Sequence, residues 1–134
     1  MPITYALEPD LSAEEFRTVL IASTLGERRP VDDLGRLDRM LRHADLIVTA
    51  RDGKRLAGIS RAITDFSYCC YLSDLAVDVA YQRQGIGKQL IAHTHRNAGE
   101  LTSLILLAAP AAESYYPRIG MTQRPSCWSL PRRR

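Results

Sequence analysis

The stretch Asp74-Leu75-Ala76-Val77-Asp78-Val79, and after Ala80 the run Tyr81-Gln82-Arg83-Gln84-Gly85-Ile86-Gly87-Lys88, decides the architecture of this 134-residue chain. The first part closes a run rich in β-formers that begins at Tyr68, so residues 68–79 read as a strand. The second part opens a helix over residues 85–97, because Ile86, Leu90 and Ile91 recur at helical spacing and Gly99 supplies a stop. Ser103 to Ala108 then reads as a buried-type strand, broken by Pro110. A strand, a helix and a second strand in that order form a parallel crossover.

Working outward, Ile3 to Leu7 predicts a first strand. Ser12-Ala13-Glu14-Glu15 reads as a capping box, with Glu15 able to reach back, at the head of a helix running to about Thr24. After the break Gly26-Glu27-Arg28-Arg29-Pro30, a second helix spans about Val31 to His43, with Leu34, Leu37, Met40 and Leu41 on one face. Leu46–Ala50 and Leu56–Ile63 flank Asp52-Gly53, the turn chemistry of a hairpin, and Gly58 marks a bulge or a close approach. Ala111 to Tyr116 predicts a short helix stopped near Pro117, and Met121 to Leu130 one or two final strands. The fold class is α+β: one mixed, mostly antiparallel sheet with a single parallel β-α-β crossover, flanked by helices.

Length and composition bound the function. The chain has room for one domain, residues 1–134, and is 46% hydrophobic and 25% charged, so collagen-like, disordered and disulfide-scaffold classes are out. The longest apolar stretch, Leu104 to Ala112, falls well short of a membrane span, and the first five residues carry no basic-then-apolar leader. Eighteen basic residues face fifteen acidic ones, and the excess of three equals the terminal Arg132, Arg133 and Arg134. The spacing shows no basic face for nucleic acid. No partner in nucleic acid or membrane is therefore expected, and the arginine tail reads as a solvated end. Three cysteines without metal spacing read as packed thiols in a reducing compartment, the cytoplasm.

The chemistry concentrates where the strand turns into the helix. The first amides of a helix lack intrahelical partners, and with the helix dipole they form an anion site. Gly85 and Gly87 remove side chains where a phosphate must approach the backbone, and Arg83 and Lys88 add positive charge. The spacing does not fit a P-loop, since Gln89 follows Lys88 and Gln82 stands where glycine is needed. Nor does it fit a dinucleotide fingerprint, since Leu90 replaces the third glycine. A glycine-rich helix start with no ligand is the plain alternative.

Gln82-x-x-Gly85-x-Gly87 after this strand closely resembles the acetyl-CoA signature of the GNAT (GCN5-related) N-acetyltransferase superfamily, as in its small single-domain bacterial-type members. Tyr115-Tyr116-Pro117-Arg118-Ile119-Gly120-Met121 is similar to the family's aromatic-Tyr-x-x-Leu-Gly-Phe segment. The resemblance implies a GNAT fold and transfer of an acetyl group from acetyl-CoA directly to a primary amine of a small molecule or peptide. It implies that the amides of Gln84, Gly85, Gly87 and Lys88, with Gln82, Arg83 and Ile86 in the same loop, hold the CoA diphosphate. Leu75, Ala76 and Val77 would pair with the pantetheine arm, and Tyr116 would protonate the departing thiolate. Tyr115 would form a wall of the site. The segment from Leu25 to Ala44 would face the acceptor, with Arg28, Arg29, Asp32 and Asp33 giving mixed charge, and the final strands would suit a homodimer.

This sequence departs from the family where a glutamate often precedes the pantetheine stretch. Tyr71 and Ser73 stand there, and Asp74 faces away from Tyr71 unless a bulge intervenes. Ala108 and Ala109 replace an asparagine that many members carry. The general base is thus open to Asp74 or to water. No metal site is expected, and His93 and His95 read as helix-packing residues. A CoA-binding module without turnover is the alternative in another functional class.

Overall fold

The computed structural model describes residues 2–134. Its five-stranded sheet runs β1 (Thr4–Leu7), β2 (Leu46–Asp52), β3 (Arg55–Thr64), β4 (Cys69–Val77), β5 (Ser103–Ile105), in that spatial order. The first three pairings are antiparallel, and β4 and β5 run parallel around the crossover helix. The helices are α1 (Ala13–Ala22), α2 (Leu34–Arg42), α3 (Ile86–Ala98) and the short α4 (Tyr115–Arg118).

Local chemistry sets the boundaries. Ser12 caps α1 by accepting from the Glu15 amide at 3.1 Å. The reciprocal half of the expected box does not form, because the Glu15 carboxylate instead takes Arg51 at 2.9 Å. Asp33 caps α2 through the Arg36 amide, so this helix starts at Leu34 rather than Val31. Gly53 turns the hairpin at φ 61°. A side chain on Gly58 would meet Leu90 and the Ala76 carbonyl at 3.1 Å, so glycine lets α3 lie close on the sheet.

Two layers cover the sheet. On one face Phe16, Leu20, Leu37 and Leu41 pack over Ile47, Ile59 and Ala76. On the other, Ile86 and Leu90 pack over Val48, Ala50 and Ala57. Each fully buried side chain of this size is worth about 1.5–3 kcal/mol. Buried Ser60 and Thr94 satisfy each other at 2.7 Å across the α3 interface.

Several expectations are corrected. β5 ends at Ile105, not Ala108, because its ladder with β4 ends at Tyr71↔Ile105 and the two chains part beyond that pair. The helix expected over 111–116 is a 3₁₀ turn, Pro110–Ala112, followed by α4, which takes in Pro117. Proline is tolerated there because an amide in the first helical turn has no intrahelical acceptor. The final strands expected over 121–130 do not form. Pro125 interrupts that segment and Pro131 follows it, and Trp128 and Leu130 are 92% and 98% exposed. Cys70 is packed as expected, but Cys69 and Cys127 are exposed. Among the described residues no helix is long and apolar enough to cross a membrane.

Candidate functional site

β4 and the chain after β5 form a fork. They pair only through Cys69↔Ser103, Cys70↔Leu104 and Tyr71↔Ile105. β4 then continues to Val77 with β3 on one side and, among the described residues, no strand on the other. Leu75 and Val77 lean toward α3, and Ala76 is buried on the opposite face. Along residues 72–77 that edge carries no pairing strand among the described residues, and the carbonyls of Ser73 and Val77 accept from side chains of Arg29 and Gln82 instead.

At the far end of this edge the chain turns into α3. Asp78 accepts from the Ala80 amide and takes Arg55, both at 2.9 Å. Burial pushes its carboxyl up, but the amide and the guanidinium outweigh this and hold it below the usual range. Tyr81 donates to Asp52 at 2.6 Å, which raises its own pKa. Gln82 donates to the Val77 carbonyl at 3.0 Å, tying the loop back to the strand. Arg83 and Gly85 then adopt positive φ of 67° and 81°, and α3 begins with its amides facing out. Nothing stands within 4 Å of a side chain built on Gly85, so this glycine is required by its backbone angle. Gly87 makes room for the Tyr115 side chain, since a Cβ there would meet the phenol oxygen at 2.7 Å unless the ring moved aside. The first amides of α3, which no side chain caps, suit a phosphate-sized anion, with the Tyr115 phenol standing against the bare Cα of Gly87.

Tyr115 and Tyr116 pack edge to face with ring centres 5.3 Å apart. Burial raises the pKa of both phenols. The Lys88 amide partly opposes this at Tyr115, whereas the Tyr115 charge adds to it at Tyr116. Tyr115 is therefore more than a wall, for its oxygen reaches the first turn of α3.

At the near end of the fork lies a cavity of about 570 Å³. Tyr71, Ser73 and residues 107–109 line it from the two arms of the fork. The segment after α1 and the start of α2 contribute Glu27, Arg28, Arg29 and Arg36, and Arg132 and Arg61 complete it. Asp32 and Asp33 do not line it, and Glu27 is its one carboxylate against five arginines. Ser73 is an extra residue in the β3–β4 ladder, since Arg61 pairs with Asp74 while Ala62 pairs with Leu72. This bulge brings Asp74 to the face of Tyr71. Asp74 is 0% exposed, with its two oxygens divided between Arg29 at 2.5 Å and Arg61. Held between two guanidiniums, it is a structural counter-ion rather than a free base. The arginine cluster was illegible in sequence because Arg61 and Arg132 stand 25 or more positions from Arg28, Arg29 and Arg36, and only the fold gathers them.

His93 stacks on Tyr5 at 4.8 Å, and His95 bonds the Thr102 carbonyl at 2.8 Å, so both serve packing. Among the described residues no group of His, Cys, Asp and Glu could hold a metal. A second cavity of about 360 Å³ beside Glu8 and Glu15 is formed at the β1–α1 junction, away from the fork.

A forked mixed sheet with a glycine-opened helix at one end and a cavity at the other is the architecture of an acyl-group transferase. A family model described as an acetyltransferase (GNAT) domain matches residues 11–125, and the chain belongs to that family. It is similar to histone acetyltransferase TAP1 of Glycine max, with 32% identity over 74 residues, 54% of this chain and 32% of that protein. The chain thus matches about a third of the length of its curated relative. Among solved structures, SA2161 of meticillin-resistant Staphylococcus aureus, a protein of unknown function described as a probable acetyltransferase, superimposes with a TM-score of 0.78. It is 22% identical, with 99% of this chain and 100% of that one covered. Aminoglycoside N-acetyltransferase AAC(6')-Iy in complex with CoA gives a TM-score of 0.74 at 18% identity, covering 98% and 95%. These structural likenesses establish the fold.

Proposed function

We propose that this chain takes an acetyl group from acetyl-CoA and passes it directly to a primary amine. The observation that carries the reading is the β4 edge without a pairing strand, which leads from the Gly85–Gly87 cradle to the cavity at Tyr71 and Ser73. The uncapped first amides of α3 and that strand edge suit a diphosphate followed by an amide-bearing arm. Acetyl-CoA supplies a thioester carbonyl activated for attack.

The chain's own residues then have distinct tasks. The amides of Gln84, Gly85, Gly87 and Lys88 hold the diphosphate, with Arg83 and Ile86 shaping the loop. Gln82 acts by fixing Val77. The backbone of Leu75, Ala76 and Val77 pairs with the arm as an added strand, and an amide there stabilises the negative charge that develops on the carbonyl oxygen. Tyr116 holds its proton on Oη across neutral pH and donates it to the sulfur leaving group. With Asp74 committed to two arginines, no buried carboxylate takes the amine proton. The positive cavity disfavours an ammonium ion, which favours the neutral nucleophile with water as proton acceptor. The reading places the protein in the cytoplasm. It leaves the outer edge of β5 to a second copy of the chain.

Calorimetry with acetyl-CoA and thiol release across an amine panel test it. The natural chain binds and releases thiol, and Gly87→Trp loses binding without unfolding. Unchanged affinity in that variant puts the cradle elsewhere. Binding with no thiol release on any amine favours a regulatory CoA-binding module.

A further inference from the structure

We infer that the acceptor amine carries an acidic group, a carboxylate or a phosphate, which the arginine cluster at the mouth of the β4 fork holds. The inference rests on the acetyl-transfer reading for what happens to the amine, but the cavity itself carries it. Arginines outnumber carboxylates on its wall: Arg28, Arg29, Arg36, Arg61 and Arg132 stand against Glu27. Arg28, Arg36 and Arg132 make no ion pair among the described residues.

Asp74 explains how the remaining two are held. One buried carboxylate receives both Arg29 and Arg61, so the trio retains a positive charge. The same contacts fix the guanidiniums. Arg29 also donates to the Arg28 carbonyl at 2.9 Å and the Ser73 carbonyl at 2.8 Å, and Arg61 donates to the Ser73 hydroxyl at 3.0 Å. A guanidinium has five N–H donors, and these bonds leave some on each arginine for a ligand. Fixed guanidiniums lose little freedom on binding and match the planar, two-oxygen geometry of carboxylate and phosphate. A polycationic acceptor would meet a wall on which five arginines face one carboxylate, Glu27.

The test uses four amines of matched length: 4-aminobutyrate, 3-aminopropylphosphonate, 4-aminobutyramide and 1,4-diaminobutane. Their binding to the full chain is measured by calorimetry with CoA present, and their acetylation by thiol release. One or both anionic amines should bind about 10- to 100-fold more tightly than the amide, and the diamine most weakly. A carboxylate-only or phosphonate-only preference identifies the acid. In the exposed variants Arg28→Gln and Arg36→Gln, KM for the preferred anion should rise while KM for the amide and kcat hold. Anion-selective binding without acetylation of any amine would support the inference and sink the acetyl-transfer reading. Equal binding of the four, a preference for the diamine, or selectivity untouched in both variants would overturn the inference, whatever the turnover.

Discussion

The phenol oxygen of Tyr115 lies 2.7 Å from the point where a side chain would begin on Gly87. The obstacle is the far end of a side chain rather than backbone, so it can move aside. Alanine at 87 should therefore leave the fold intact and favour α3 by up to about 1 kcal/mol. It should still weaken acetyl-CoA binding, because the added methyl fills the approach to the outward amides. Thermal melts and calorimetry on Gly87→Ala separate the two effects. A lower melting temperature would assign this glycine a folding role instead.

Tyr115→Phe tests the same contact from the other side. The phenol oxygen stands over the first turn of α3, where it competes with any anion for the amides there. Removing the hydroxyl should tighten acetyl-CoA binding about fivefold, the value of one hydrogen bond of about 1 kcal/mol. Weaker binding would show instead that the hydroxyl touches the ligand.

Asp74→Asn separates counter-ion from catalyst. With Asp74 fully buried, its loss leaves Arg29 and Arg61 side by side without their shared anion. Breaking a buried pair in this way costs about 3–5 kcal/mol. Urea denaturation should show a large fall in midpoint, whereas Arg28→Gln should leave it unchanged. A variant of native stability that has lost turnover would restore Asp74 as a base.

The crossover and the glycine-opened start of α3 were legible in sequence because their signals are local. Gly85 and Gly87 stand next to the helix they open, and period and breaker residues bound each element. Positions set by long-range partners were not legible. Glu15 leaves its capping box because Arg51, brought alongside by β2, competes for it. The Ser73 bulge, which turns Asp74 to the face of Tyr71, is visible only in the register against β3. Final strands are expected over Met121 to Leu130, but Pro125 falls inside that run, and among the described residues no strand follows Ile105.

Acid should weaken the β1–β2 edge through Glu8. Arg51 and then the Thr49 hydroxyl bond its carboxylate and hold its pKa below 4.5, against an opposing effect of burial. A carboxyl with a depressed folded-state pKa adds stability that is complete above its unfolded value. That stability disappears as pH falls through the lower folded value. Denaturation midpoints of the natural chain should fall on acidification below about pH 4.5, and Glu8→Gln should flatten that part of the curve. An equally steep fall in Glu8→Gln would move the acid sensitivity to another carboxylate.

Tyr116 decides between turnover and binding. Burial, reinforced by Tyr115, raises its pKa above 10, so the phenol keeps its proton through neutral pH and loses it only as pH climbs past that value. As a general acid, Tyr116 predicts kcat that is flat through neutrality and falls on the alkaline side. Tyr116→Phe keeps the ring and its packing on Tyr115 but removes the donor. It should lower kcat about 100-fold while leaving acetyl-CoA affinity unchanged, and it should abolish the alkaline fall. Stopped assays of thiol release from pH 7 upward, with calorimetry alongside, measure both quantities. Unaltered kcat in Tyr116→Phe would remove this residue from the chemistry, and a change confined to affinity would make it part of the binding wall.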